Sequence, residues 1–276
     1  MSDLVTRLRK PMALVGALSR RRRHRLAPML LLLLALGATG GAYASLAPTT
    51  GAQAASGAST QTLAEGRALF LKNCATCHAL NAEGSSDGPS LIGVGAASVD
   101  FQVATGRMPG RQLNSQIEVK RNTYSEEEIA AMAAYIASLG PGPAIPSDTD
   151  LDYSDANVAE GGAIYRTNCA MCHNYAGSGG ALTQGKYAPS VKQTTPRHIW
   201  EAMLTGPQSM PVFGDGTMTP EEKRNIIAFL RTSSAETNPG GADLGKIGPV
   251  SEGAVSWLVG LGALVACAVW LGAKAR

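Results

Sequence analysis

The chemistry in this chain is concentrated in two hexapeptides. Asn73-Cys74-Ala75-Thr76-Cys77-His78 is matched, ninety-five residues later, by Asn168-Cys169-Ala170-Met171-Cys172-His173. Two thiols three positions apart, followed directly by an imidazole, form the covalent attachment signature of a c-type haem. The thiols become thioethers to the porphyrin vinyl groups, and the imidazole takes the iron from the proximal side. On this reading Cys74, Cys77, Cys169 and Cys172 attach two covalently bound haem c groups, and His78 and His173 are axial ligands. A structural zinc site is the main rival for four paired cysteines. Each pair here carries its own His and the pairs are far apart, which fits haem better. A dithiol redox centre fits less well, because no βαβ pattern surrounds either motif. The fifth cysteine, Cys267, lies alone in an apolar run and is assigned no chemistry.

A six-coordinate haem needs a distal ligand, and a Met thioether raises the reduction potential while closing the open position. Met108 precedes Pro109 in a turn-rich stretch, thirty residues after His78. Met210 precedes Pro211 in the same way. A Met in such a loop reaches an iron without breaking a helix, so Met108 and Met210 are the expected distal ligands. Met132 and Met203 fall on apolar helical stretches and read as core, and Met218 stands just before a helix cap. His198 opens a helix after Thr195-Pro196, where a surface role fits better than ligation. A metal-bound His donates its second ring N–H to an oxygen. The carbonyls of Pro89 and Pro189, each in a turn after its motif, are the expected acceptors. Arg107, Arg111 and Lys192 suit haem propionates, and a solvated face explains them equally well.

These residues need elements to hold them. Leu63, Arg67, Phe70 and Leu71 are at helical spacing and lead into Cys74, predicting a helix that delivers the motif at its C-terminal end. Ser125 and Glu128 form a capping box. The helix it starts carries Ile129, Met132, Ala133, Ile136 and Leu139 on one face and stops at Gly140-Pro141. The plan then repeats. Ala64-Glu65-Gly66 is matched by Ala159-Glu160-Gly161, Pro89-Ser90-Leu91 by Pro189-Ser190-Val191, and Tyr135-Ile136 by Phe229-Leu230. Thr219 and Glu222 repeat the capping box, with Pro220 at the first helical position. The expectation is a mainly α chain with two tandem cytochrome c-type haem domains, at 62–139 and 158–234. Residues 48–61 read as a flexible tether, and 140–157 and 235–252 as linkers rich in small residues or proline.

Charge separates the two ends from the middle. The net charge is +3 over 276 residues, with only 16% charged residues. Residues 1–25 hold eight Lys/Arg and one Asp, whereas 48–249 hold fourteen Lys/Arg against nineteen Asp/Glu, a net of −5. The basic end is an address label and the middle is a mildly acidic soluble body; nothing suggests nucleic acid binding. Residues 26–47 form an apolar segment behind the basic run. One reading is a transmembrane helix. The other is a signal sequence with Ala42-Tyr43-Ala44 as its cleavage site. Both leave the basic segment 1–25 in the cytoplasm and export the residues beyond 47. Residues 253–273 are twenty-one residues without a charge, flanked by Trp257 and Trp270 and followed by Lys274 and Arg276. They predict a second transmembrane helix with the C-terminus in the cytoplasm. Gly260, Gly262 and Ala263 offer a small-residue surface for another membrane helix, and a plain lipid anchor explains them as well.

Paired C-x-x-C-H domains, each with a Met-Pro loop, on an exported segment with a C-terminal anchor resemble the dihaem cytochrome cc subunit of the actinobacterial menaquinol–cytochrome c reductase, the cytochrome bc complex. The resemblance covers nearly the whole chain. It implies an electron-transfer subunit of a translocase in the respiratory chain, with a cytochrome b subunit and a Rieske iron–sulfur subunit as partners. It also implies direct delivery to an aa3-type cytochrome c oxidase in a supercomplex. Cys74, Cys77, His78 and Met108 would hold the haem that receives electrons. Cys169, Cys172, His173 and Met210 would hold the haem that passes them on. Two other readings stand beside it: a membrane-anchored dihaem carrier for another dehydrogenase or oxidase, and a haem enzyme such as a peroxidase. The absence of a copper-site cluster argues against an oxidase subunit with its own copper. The two distal Met residues argue against a peroxidase, which needs an open iron position.

Overall fold

A computed structural model of the chain describes residues 26–46, 58–111, 114, 116–235 and 249–274. The basic segment 1–25, the tether as far as residue 57, and residues 236–248 of the second linker lie outside the described residues. The described residues fall into two units: the N-terminal helix, and the residues from 58 onward.

Helix α1 (Ala27–Leu46) is the first unit, twenty residues with no charge in its first or last turn. Leu30 to Leu34 are all exposed on it. An exposed leucine run has no stabilising partner in water, so this surface belongs in an apolar medium or against another protein. By length and composition its apolar stretch, Ala27–Tyr43, is shorter than that of the C-terminal helix, Ser251–Lys274.

The second unit is helical around one short hairpin. Its first half contains α2 (Thr60–Asn73), α3 (Ala75–His78), α4 (Gly95–Ala104) and α5 (Glu126–Ser138). Helix α2 starts where Ser59 accepts the N–H of Thr62 at 3.1 Å. Helix α5 starts at the capping box: Ser125 N–H donates to Glu128 at 2.9 Å, and Glu128 N–H donates to the Ser125 hydroxyl at 3.2 Å. Each such cap is worth about 1 kcal/mol. The first core joins Phe70, Ala75, Ala82, Tyr135 and Ile136, and an adjoining cluster joins Val103, Ile129 and Met132. Burying Phe70, 1% exposed, contributes roughly 1.5–3 kcal/mol.

The proline-rich segment after α5 is packed rather than loose. Pro141–Pro143 lies flat on Gly93–Gly95, and Ala97 N–H donates to the Pro143 carbonyl at 3.1 Å. A short helix follows, α6 (Asp148–Leu151), closed by reciprocal Ser147–Asp150 bonds. Its Leu151 packs on the second core.

The second half repeats the first with α7 (Val158–Asn168), α8 (Ala170–His173), α9 (Pro196–Thr205) and α10 (Pro220–Ala235). Between α8 and α9 lies the hairpin of β1 (Gly180–Ala181) and β2 (Tyr187–Ala188), paired antiparallel as Gly180 to Ala188 and Ala181 to Tyr187. The second core joins Tyr165, Ile199, Trp200, Met203, Met218, Ile226, Ile227 and Leu230. The matched triplets of the sequence mark the helix crossings. A Cβ on Gly66 would stand 2.0 Å from the Ala131 carbonyl oxygen of α5, and one on Gly161 would stand 1.9 Å from that of Asn225 on α10. The two crossings also carry equivalent tilted ring pairs, Phe70–Tyr135 at 5.5 Å and Tyr165–Phe229 at 5.4 Å.

The halves bond to each other through α4 and α9. Arg197 of α9 donates to Asp100 of α4 at 2.6 Å. The Gln116 side chain exchanges two hydrogen bonds with the backbone of Tyr187 on β2, at 2.9 and 2.7 Å.

The C-terminal helix runs from α11 (Pro249–Val255) through a π-helical turn at Ser256–Leu261 into α12 (Gly262–Lys274). Ser251–Lys274, 24 residues, is long and apolar enough to cross a membrane. Lys274 stands 4.5 Å over the Trp270 ring.

Candidate haem sites

Each attachment motif sits on a break between two helices. Cys74 ends α2 and precedes α3; Cys169 ends α7 and precedes α8. The break turns the one-turn helix so that its His follows closely: His78 N–H bonds the Cys74 carbonyl at 3.0 Å and His173 N–H bonds that of Cys169 at 2.9 Å. The residue after each His, Ala79 and Asn174, has φ near +65° (64° and 65°), which reverses the chain under the ring. The rings are then fixed as the sequence suggested. Nδ1 of His78 donates to the Pro89 carbonyl at 2.7 Å, and Nδ1 of His173 donates to that of Pro189 at 2.9 Å. A carbonyl only accepts, so Nδ1 carries a proton, and in the neutral ring Nε2 keeps a free lone pair. That is the tautomer a ligating imidazole requires.

Burial sets the protonation of these groups. It pushes the Cys74 and Cys169 thiols up to about 11 each, with the neighbouring Cys77 and Cys172 adding to it. It also lowers His173, against the pull of its Pro189 bond, so the ring is held neutral. Tyr165 is raised by burial, and its hydroxyl donates to the Asn174 carbonyl at 2.9 Å. The two cysteine pairs lie in different halves, so they do not meet in one tetrahedral zinc site.

The Met-Pro loops are launched by left-handed glycines that the motifs alone do not reveal. Gly106, φ 73°, follows α4, and a Cβ there would strike the Lys120 carbonyl. Arg107 and Met108 N–H groups then share the Gln102 carbonyl at 2.9 Å each. The Lys120 ammonium caps the Pro109 carbonyl. Gly206, φ 57°, ends α9 in the left-handed conformation, where a Cβ would come within 2.7 Å of Val212. Met210 N–H returns to the Pro207 carbonyl at 3.1 Å, and Phe213 N–H to that of Met203 at 2.7 Å. Only glycine makes both turns without strain.

In the second half these pieces converge. Cys169, Cys172, His173 and Met210 line one cavity of about 450 Å³, inside the range of roughly 300–1,000 Å³ that holds cofactors. Tyr165, Ile199, Met203, Ile226 and Leu230 give it apolar walls. Among the described residues its lining contains two cations, Arg107 and Lys186, and no carboxylate. The donor set therefore fits haem c: thiols for two vinyl groups, a neutral imidazole, a thioether, apolar walls for the macrocycle and cations for propionates. In the first half Cys74 and Met108 fall in two adjoining clusters. Cys74 packs with Phe70, Tyr135 and Ile136, and Met108 with Val103, Ile129 and Met132; Val99 belongs to both. Tyr124 joins them, packing beside Met108 while burial, and then the Cys74 thiol, raise its phenol. His78 is 8% exposed.

Met132 and Met203 are buried, as expected of core residues, and Met218 is buried as well; Met203 also faces the cavity. His198 corrects the surface expectation. It is largely buried, edge-on to Phe101 at 6.2 Å and lining the cavity. Burial lowers its pKa, and the nearby Asp100 only partly restores it. Sequence reasoning also missed Asp100, Arg197 and Glu201. Asp100 and Glu201 are 4% and 0% exposed, and Arg197 reaches both, at 2.6 and 3.4 Å. Burial, then hydrogen bonding and repulsion from Asp100, push the Glu201 carboxyl up to about 9, so it is protonated at neutral pH. The carboxylate-bearing α4 and α9 positions give no sign in sequence that they meet.

Comparison with known proteins follows this division. Residues 63–140 match the cytochrome c family, and residues 156–230 match cytochrome c oxidase, cbb3-type, subunit III. A protein of Mycobacterium leprae, the cytochrome bc1 complex cytochrome c subunit, is 43% identical over 252 residues, covering 89% of this chain and 87% of that one. The protein of the same name from Corynebacterium diphtheriae is 42% identical over 260 residues, covering 87% and 92%. That from Mycobacterium bovis is 41% identical over 265 residues, covering 94% and 95%. With both attachment turns and both cytochrome c regions inside alignments of this extent, the chain belongs to the family of cytochrome c subunits of the cytochrome bc1 complex.

Proposed function

We propose that this chain is the dihaem electron-transfer subunit of a quinol–cytochrome c reductase. It relays electrons from a Rieske iron–sulfur subunit, through two His/Met haems, to an aa3-type terminal oxidase held in a supercomplex. The observation that carries the reading is the second-half cavity, which gathers two thiols, a neutral imidazole with its Nε2 free and a thioether between apolar walls. When bound, haem supplies a one-electron Fe(III)/Fe(II) couple.

The chain's own residues do the rest. Cys74, Cys77, Cys169 and Cys172 attach the two groups. Pro89 and Pro189 carbonyls hold the His78 and His173 rings and, through the Nδ1–H bond, raise their basicity towards iron. Met108 and Met210 would each supply a thioether ligand to the iron, which favours the reduced state and leaves no site for oxygen. Apolar walls keep water from the redox centre, so little solvent has to reorganise when charge moves. Ser251–Lys274 anchors the chain in the cell membrane with the haem region outside and Lys274 towards the cytoplasm. Helix α1 crosses as a second span behind the cytoplasmic basic segment, or is removed as a signal sequence; N-terminal sequencing of the mature protein separates these.

Extraction of the complex in mild detergent tests the assignment. The chain should co-purify with cytochrome b and Rieske subunits and be reduced by a menaquinol analogue through them. Recovery of the dihaem chain without those subunits favours the alternative of a carrier for another dehydrogenase or oxidase.

A further inference from the structure

The first half supplies a wall of the second-half cavity. Phe101, Thr105, Arg107, Gln116 and Val119 line it together with Cys169, Cys172 and His173. Among them Arg107 has unsatisfied chemistry. Its guanidinium stacks 4.8 Å over the Phe101 ring and makes no ion pair among the described residues. Two acidic groups at the interface of the halves, Asp100 and Glu201, are already engaged with Arg197. A half-buried guanidinium with five donors and no carboxylate beside it is placed to receive an anion.

We infer that this cavity contains a carboxylate subsite built across the two halves, in which Arg107 of the first half binds a propionate of the second haem. The inference rests on the haem reading above. Among the described residues Arg107 and Lys186 are the cavity's two cations against no lining carboxylate, which matches a cofactor with two carboxylate arms. They are not equivalent. Lys186, half-buried like Arg107, already bonds the Ser209 hydroxyl at 3.1 Å. Arg107 lies over an aromatic face and presents a planar fork suited to a carboxylate. The same loop holds Met108, the next residue. Its backbone is fixed by Gly106 and by the shared Gln102 carbonyl. One rigid loop therefore carries the distal ligand of the first haem and the counter-ion of the second. A guanidinium beside the second haem disfavours its oxidised, more positive state and so raises its potential.

The test is a spectroelectrochemical titration of the full chain in mild detergent, with haem content measured first. Wild type lacking two covalent haems per chain would fail the underlying reading, separately from the subsite. The Met210→His background, whose second haem titrates lower, identifies the wave in question. Arg107→Gln should shift that wave to lower potential. Arg107→Lys should recover most of the shift, and Lys186→Gln should move the wave less than Arg107→Gln does. If the second wave stays in place in Arg107→Gln, or only the first moves, the subsite is wrong. Should Arg107→Gln fail to take up haem, the propionate bending bands of Arg107→Lys in resonance Raman carry the test. A shift from wild type supports the contact, and unchanged bands overturn it.

Discussion

The protonation of single side chains follows from where the fold puts them. His78 and His173 each spend Nδ1–H on a proline carbonyl, at 2.7 and 2.9 Å, which leaves Nε2 as the only possible ligand atom. The thioether assignments make a direct prediction. Met210→His replaces a soft acceptor by a stronger donor and should lower the potential of one haem while leaving the other in place. Two waves unchanged in a redox titration would show that another residue, with Met203 the nearest rival in the cavity, is the ligand. Glu201 gives a pH prediction. Its carboxyl is raised from 4.5 to about 9 by burial and by Asp100. The folded state therefore holds a proton that the unfolded state has released between those values. Stability from this group is present below the unfolded pKa and is lost as pH rises through the folded one. Thermal unfolding should show wild type losing stability between about pH 5 and 9, and Glu201→Gln should flatten that slope. A slope identical in both proteins would place the titration elsewhere.

At the scale of elements, the repeat seen in the sequence turns out to be a repeat of helix crossings. Gly66 and Gly161 occupy the contact where the N-terminal helix of each half meets the backbone of its last helix, at 2.0 and 1.9 Å from a carbonyl oxygen for an added Cβ. Gly161→Ala gains up to about 1 kcal/mol in helix propensity. It forces α7 and α10 apart, which costs typically about 1–3 kcal/mol, and more where backbone is struck. The expected result is net destabilisation, a melting temperature several degrees lower. Gly260→Ala, with nothing within 4 Å among the described residues, should not destabilise. A neutral or stabilising Gly161→Ala would mean the helices cross further apart. The helices, their capping boxes at Ser125 and Thr219, and both attachment turns were legible because each is written in residues a few positions apart. The left-handed Gly106 and Gly206 were legible in principle, since each stands between a helical pattern and a Met-Pro pair. Their need for glycine comes from contacts with Lys120 and Val212, which lie outside that local pattern.

At the scale of the molecule, the contacts between the halves were not legible. Asp100 and Arg197 are ninety-seven positions apart, and no local pattern ties a carboxylate on one helix to a guanidinium on another. For the same reason His198 read as a surface residue although the other half covers it, and nothing in the linker 140–157 showed that it packs on Gly93–Gly95. These contacts predict coupling. Arg197→Ala leaves Asp100 buried without its charge partner, which should cost about 1–3 kcal/mol. If the halves are held together there, the variant should show a lower melting temperature and earlier proteolysis between them. Unchanged unfolding would mean that Gln116 and the proline-rich segment suffice.

The central claim is that one chain carries two Met-ligated haems forming a path from a quinol-oxidising complex outward. The most direct measurement is an anaerobic optical redox titration of the full-length chain extracted in mild detergent. It should resolve two one-electron c-type waves, both low-spin, with the weak red-edge charge-transfer absorption of Met ligation in the oxidised state. One wave, or two haems lacking that absorption, would contradict it.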